Sequence, residues 1–194
     1  MKKIIPLGLW CCLSAVLCGV SIYAMQVTPD LSLHFAAEQG FIYAIETLAR
    51  QGYSLETRDG RGATPMHWAA IEGKTAAVKR LYELGGEIDA CDNSGLTPLH
   101  LAAWARYPQT VFMLIACGAD VNKASVCDRR TPLHQTIASD IKKRSCRRVV
   151  KILLEHGAVI NVRDLWWEFP FETARRYGER AAISLLGYII KSGT

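Results

Sequence analysis

The chain carries none of the short motifs on which catalysis is commonly built. It has no G-x-S-x-G elbow, no glycine-rich phosphate loop, no C-x-x-C pair and no H-E-x-x-H pair. Ser, His and Asp are plentiful, but no spacing singles out a set, so neither enzyme activity nor a catalytic or cofactor-binding residue is expected. Basic charge is also modest. With Lys2 and Lys3 set aside, 21 basic residues face 18 acidic ones. A nucleic-acid reader would carry a denser basic stripe interleaved with aromatics for stacking, so no nucleic-acid partner is expected. At 194 residues, half of them hydrophobic, the chain has the length of one domain and enough apolar surface for a continuous core.

One stretch lacks charge altogether. After Lys2-Lys3, Ile4 through Ala24 contains no Asp, Glu, Lys, Arg or His. A short positive region followed by an apolar run reads as a signal peptide, with small residues at Gly19-Val20-Ser21 and Ile22-Tyr23-Ala24 for cleavage. The alternative is an uncleaved anchor over residues 4–24, because 21 residues could just span a bilayer. Pro6, Gly8, Ser14, Gly19 and Ser21 weaken that alternative. Both readings put the rest of the chain on the non-cytoplasmic side, since basic residues precede the run and the next one downstream is Arg50. The two-lysine start has a bacterial look, and the expected location is periplasmic or secreted. Val16-Leu17 before Cys18 is a poor fit to a lipidation site.

The rest of the chain repeats itself. Thr64-Pro65-Met66-His67, Thr97-Pro98-Leu99-His100 and Thr131-Pro132-Leu133-His134 share one phrase, preceded by a weaker Leu31-Ser32-Leu33-His34 and followed by a decayed Phe169-Pro170-Phe171-Glu172. Successive copies start 33, 33, 34 and 38 positions apart. Such a period means stacked supersecondary units, none able to bury its apolar face alone. Pro suits the first turn of a helix, where its missing N–H has no intrahelical partner, and the preceding Thr can cap that turn. Ala69-Ala70 and Ala102-Ala103 let helices approach closely. Val78…Leu81 and Val111…Leu114-Ile115 form an apolar stripe at helical period. Gly40, Gly73 and Gly178 fall where a first helix ends, and Gly85, Gly118 and Gly157 where a second ends. Each unit therefore reads as two short antiparallel helices followed by a sideways turn.

These residues resemble ankyrin repeats well beyond the four-residue phrase. The third copy runs Asp92-Asn93-Ser94-Gly95-Leu96-Thr97-Pro98-Leu99-His100-Leu101-Ala102-Ala103, then Val111-Phe112-Met113-Leu114-Ile115, then Gly118-Ala119-Asp120-Val121-Asn122. Asp59, Gly62, Gly73 and Ile88-Asp89 match in the second copy, and Leu153-Leu154-Glu155-His156-Gly157-Ala158-Val159-Ile160-Asn161 closes the fourth. The resemblance implies an all-α solenoid of stacked helix-turn-helix units with short β-hairpin turns, spanning residues 26–194. Its repeats lie near 26–58, 59–91, 92–124, 125–163 and 164–194, behind an N-terminal signal or anchor over 1–24. It also implies a non-enzymatic, monomeric module that binds a partner protein through the concave surface of hairpin tips and first helices. Touching the membrane is expected only through an uncleaved N-terminus. Two other roles stay open: an effector acting by binding inside a host or neighbouring cell, and a periplasmic accessory that protects or inhibits an enzyme.

Carried over repeat by repeat, the binding surface comprises Arg61, Ile71 and Glu72, then Asn93, Leu96, Trp104 and Ala105, then Asp128, Arg130 and Ser139, and finally Leu165, Trp166, Glu168, Arg176 and Tyr177. Trp104, Trp166, Tyr177, Arg61 and Arg130 are residue types that dominate interface energetics. Trp68 is expected in the core. The resemblance also gives the register His34, His67, His100, His134 a structural role, bonding to backbone and to the Thr of its own phrase. A metal ladder is excluded because adjacent rungs stand roughly 8–10 Å apart, against Zn–N bonds of about 2.0–2.1 Å. His156, near the end of a second helix, sits where a cation is favoured.

Several positions depart from the pattern. Arg106 and Asp140 replace the glycine that ends the first helix, and Trp167 replaces a turn glycine, predicting a distorted last hairpin. The fourth repeat carries five extra residues between its helices. There Asp140-Ile141-Lys142-Lys143-Arg144-Ser145-Cys146-Arg147-Arg148 places five basic residues within seven positions, read as a solvated loop with anion binding as the alternative. Cys91, Cys117, Cys127 and Cys146 stay with the repeats and are expected as free thiols. Repeat steps of roughly 8–10 Å exceed the roughly 7 Å between Cα atoms that a disulfide bridges.

Overall fold

The computed structural model describes residues 32–139 and 146–192. The 1–24 segment, the start of the first repeat at residue 26, and Asp140, Lys142, Lys143 and Arg144 of the basic insert lie outside the described residues. Ten helices form five pairs among the described residues: α1 Leu33–Gln39 and α2 Ile42–Arg50, α3 Pro65–Ile71 and α4 Thr75–Glu83, α5 Pro98–Trp104 and α6 Pro108–Ala116, α7 Pro132–Ala138 and α8 Arg147–Glu155, α9 Pro170–Tyr177 and α10 Arg180–Ser192. None of these helices is long and apolar enough to cross a membrane.

Odd-numbered helices pack on odd-numbered neighbours and even on even, so the stack has two helical layers. The inner seam is built from the small pairs Ala36-Ala37, Ala69-Ala70 and Ala102-Ala103, all without exposed surface. Thr136-Ile137 takes that place in the fourth repeat, equally buried, while in the fifth Ala174 is buried and Arg175, at the second position, is exposed. The second helices bury Ile45 and Leu48, Val78 and Leu81, Val111 and Leu114, and Val150 and Leu153 in the same core. Four of the five linkers within a pair are two or three residues long; the fourth spans residues 139–146, as the five-residue excess required.

No strand forms among the described residues; the hairpins are turns held by backbone and carboxylate bonds. Asp59 Oδ1 accepts from the N–H groups of Arg61 (2.8 Å) and Ala63 (2.9 Å), Asp92 Oδ1 from Ser94 (2.8 Å) and Leu96 (2.9 Å), and Asp164 Oδ1 from Trp166 (2.9 Å) and Glu168 (3.0 Å). These are aspartate turns, which satisfy two donors with one short side chain. Neighbouring tips are joined directly: Asn93 N–H donates to Arg61 O (3.0 Å), Cys127 to Ser94 O (3.2 Å) and Leu165 to Asp128 O (2.9 Å). At Gly95, with φ of +75°, a Cβ would stand 2.4 Å from the Val126 nitrogen, so only glycine lets the next hairpin come this close.

The expected distortion of the last hairpin does not occur. Trp167 adopts the left-handed conformation itself (φ +62°), and the turn keeps the spacing of its neighbours, with Asp164 N–H donating to Glu168 O at 3.0 Å. Asp164 holds the loop from inside, and the Arg163 guanidinium lies 5.7 Å from the Trp167 ring, which offsets the roughly 1–2 kcal/mol such a conformation costs. The wider turn belongs to the fourth repeat instead. There Ser125 N–H donates to Arg130 O (2.9 Å), one residue further than elsewhere, and Arg129 takes φ of +54°.

Candidate partner-binding surface

The phrase that defines the repeat also builds the surface. In three copies a Thr backbone N–H donates to the Nδ1 of the histidine three residues on, at 3.0 Å for Thr64–His67, 3.1 Å for Thr97–His100 and 3.3 Å for Thr131–His134. An N–H donor at Nδ1 makes that nitrogen the acceptor, so the proton sits on Nε2. Nε2 then donates across to the next repeat: His67 to Leu96 O (3.0 Å), His100 to Arg130 O (3.1 Å) and His134 to Glu168 O (3.3 Å). His34 Nε2 stands likewise 3.0 Å from Ala63 O. Each imidazole therefore ties its own helix start to the neighbouring hairpin. Burial pushes the pKa of His67, His100 and His134 down, that of His100 to about 4, so they are neutral around pH 7. In the fifth copy Glu172 accepts from Phe169 N–H at 2.9 Å, keeping the local cap.

Between the hairpin tips and first helices of the second and third repeats lies a groove of about 420 Å³, lined by Arg61, Trp68, Ile71, Asn93, Leu96 and Leu101 together with the edges of His67, Asp92, Ser94 and Ala63. It brings together Arg61, Ile71, Leu96 and Asn93 from the expected surface. Trp68 corrects the expectation that it is core. It is half-buried on the groove wall, and its indole N–H donates to Asp59 Oδ2 at 3.0 Å. Burial pushes the Asp59 carboxyl up, but hydrogen bonds from the Ala63 and Arg61 N–H groups and the Trp68 indole outweigh it, and its pKa is lowered. The aspartate that closes the hairpin thus also orients the tryptophan.

Trp104, one helical turn beyond Leu101, is 39% exposed, a large apolar ring at a position where surface polar residues are usual. Glu72 is exposed beside Ile71 on the second repeat. Two other expected residues are interior: Ala105 and Ser139 are buried, because the chain turns inward at the ends of α5 and α7. Arg130 is a further correction. Only 9% exposed, it points inward to Asp164 (3.4 Å) and lies 4.6 Å beneath the Trp166 ring. It therefore supports Trp166, which is 51% exposed, and does not present its own guanidinium. In the last repeat Leu165, Arg176 and Tyr177 are exposed, with Arg176 Nη1 3.2 Å from Glu168 Oε1. Asp128 accepts from Arg130 N–H (3.0 Å) and so serves its own turn.

A model of three ankyrin-repeat copies matches residues 33–125, and a single ankyrin repeat matches residues 128–165. The chain belongs to the ankyrin-repeat family. A search of curated proteins finds no match. The ankyrin fold is a non-enzymatic protein–protein interaction scaffold, and its members typically bind protein partners. In this ankyrin stack His67, His100 and His134 have both ring nitrogens engaged by backbone and His34 its Nε2, and no cluster of His, Cys, Asp or Glu among the described residues could hold a metal ion. Cys91, Cys117, Cys127 and Cys146 are free thiols, with Cys127 exposed and Cys146 buried.

Proposed function

We propose that this ankyrin-repeat protein is an exported binding module that captures a partner protein in the groove of its second and third repeats. The observation that carries the reading is the groove itself. Trp68, Ile71, Leu96 and Leu101 give it an apolar wall, Arg61 and Asn93 a polar rim, and Trp104 stands exposed one turn away. An aromatic anchor within a polar rim is the arrangement in which a few residues supply most of the binding energy. Glu72 extends the surface on the second repeat, and Trp166, Arg176 and Tyr177 extend it toward the last. Arg130 contributes by holding Trp166 in place.

Export rests on Lys2-Lys3 and the uncharged run that follows, which would place the repeats in the periplasm or outside the cell, whether or not residues 4–24 remain as an anchor. A photo-crosslinking residue placed at Ile71 or Trp104 of the full chain, expressed in its native cell, tests the binding surface. It should capture one protein species that the same residue at Phe112, on an outer helix, does not. Equal capture from both faces, or none from either, would sink the groove reading. Cell fractionation with N-terminal sequencing tests the address separately.

A further inference from the structure

Repeats in a solenoid touch only their neighbours, but one side chain here reaches two repeats along. Arg106 follows α5 in the left-handed conformation (φ +58°) and is 3% exposed. Its guanidinium passes along the end of the fourth repeat, where Nε donates to Thr136 O (3.3 Å) and Nη2 to Ser139 O (2.9 Å). It continues to the fifth repeat, pairing with the carboxylate of Glu179 between α9 and α10. The other oxygen of Glu179 accepts from Cys146 Sγ at 3.4 Å. Ser139 and Cys146 are the residues that bracket 140–145, so one ion pair with a buried arginine holds both ends of the insert.

The repeat register explains why an arginine is needed. Ala36 O accepts the N–H of Phe41 (2.8 Å), Ala69 O that of Lys74 (2.8 Å), Ala102 O that of Tyr107 (3.1 Å) and Ala174 O that of Glu179 (2.9 Å). In each case the linker between the two helices supplies the donor. The matching carbonyl of the fourth repeat is Thr136, where the chain leaves α7 through an extended Ser139 (ψ 131°) and runs into the insert. The Nε–H of Arg106 donates to that carbonyl, so a side chain from the preceding repeat reaches the group that a linker backbone serves elsewhere.

We propose that the Arg106–Glu179 pair is a clasp that ties Ser139 and Cys146, on either side of the insert, and the fifth repeat to the third, holding the last two repeats closed against the rest of the stack. Arg fits because its planar fork presents several donors in fixed directions; Lys offers a single charged point. The clasp gives residue 106 a role opposite to that of an ordinary turn position. As a turn residue, Arg106→Gly would relieve the left-handed strain and be neutral or stabilising. As half of a clasp, the same change would release Glu179, Ser139 and Cys146.

The test compares the full-length wild type with Arg106→Gly and Glu179→Gln, by peptide-resolved thiol alkylation and amide hydrogen exchange under native conditions. In the wild type, exposed Cys127 should label quickly and buried Cys146 slowly. In Arg106→Gly, Cys146 should label at least tenfold faster, with Cys127 unchanged. Loss of the cation disfavours the thiolate, so chemistry alone would slow the reaction, and acceleration reads opening. Amides of α7 through α10 should exchange faster together in both variants, while those of α1 through α4 keep their protection. Cys146 labelling at the wild-type rate in Arg106→Gly would overturn the clasp. So would faster exchange confined to α9 and α10, or spread evenly over all ten helices.

Discussion

Mild acid should destabilise this protein well before its carboxylates titrate, because three imidazoles are buried as neutral donor–acceptors. In the unfolded chain His100 takes a proton near pH 6.5, whereas in the fold burial holds its pKa down to about 4. Between those values the unfolded state binds the extra proton. The contribution of His100 is therefore fully present above about pH 6.5 and is lost as pH falls toward 4. From pH 7 to 5 that lost contribution amounts to about 2 kcal/mol for His100 alone. His67 and His134 are shifted in the same direction by the same cause, so their contributions add to it. The structural reason is specific. A proton arriving at Nδ1 turns an acceptor into a donor facing the Thr97 N–H at 3.1 Å, so the helix cap opens.

Urea unfolding followed by far-ultraviolet circular dichroism at pH 7, 6, 5.5 and 5 reads the effect within a window where most carboxylates keep their charge. The midpoint should fall steadily with pH, and His100→Asn should flatten the dependence by about one proton's worth of slope, roughly 1.4 kcal/mol per pH unit at its steepest. A midpoint constant between pH 7 and 5, or one that rose on acidification, would refute the argument that these rings are buried and neutral.

Three further outcomes are expected. Trp104→Ala should weaken partner capture at least tenfold, about 1.4 kcal/mol or more, with the melting temperature little changed; Lys142→Ala with Lys143→Ala, measured by the same titration, should leave affinity intact. Gly95→Ala should destabilise the fold by about 2 kcal/mol or more in thermal melts, since a left-handed alanine costs roughly 1–2 kcal/mol before its contact with Val126 is counted. Arg130→Met should cost on the order of 3 kcal/mol by leaving the Asp164 carboxylate buried without its cation, and should increase quenching of Trp166 fluorescence by acrylamide as the ring loses its support.

The repeat was legible because each residue of the phrase performs the same task in its three full copies. Thr and Pro start a helix, paired small residues seat it, and the histidine fastens the neighbouring hairpin, so the period and the chemistry coincide. Arg106 and Trp167 were legible as departures from glycine, but not in their consequences. Both take the left-handed backbone that glycine would have taken, and tertiary partners hold them there. Trp68 and Arg130 were misread because their side chains could point two ways from the same backbone position. Trp68 stands on the groove wall because Asp59 draws its indole N–H, and Arg130 turns inward because Asp164 is buried behind it. The link from Arg106 to Glu179 crosses 73 positions and skips a repeat, so no local pattern announces it.

If the groove of the second and third repeats is the binding surface proposed above, the same bonds that stabilise the stack also prepare it to bind. Backbone links from Asn93 to Arg61 and from Cys127 to Ser94 fix the spacing of the hairpin tips, and His67 fastens Leu96, which is itself part of the groove wall. Little loop ordering is then left for the moment of binding, and ordering costs about 0.5–1.5 kcal/mol for each mobile side chain immobilised. Trp68 adds nothing to that cost, because Asp59 already holds its indole. Trp104 makes no comparable hydrogen bond among the described residues, and its ring is 39% exposed. On the proposed reading, substitutions at Trp104 therefore act on affinity, and substitutions at His67 or Asp59, whose bonds also hold the stack, act on affinity and stability together.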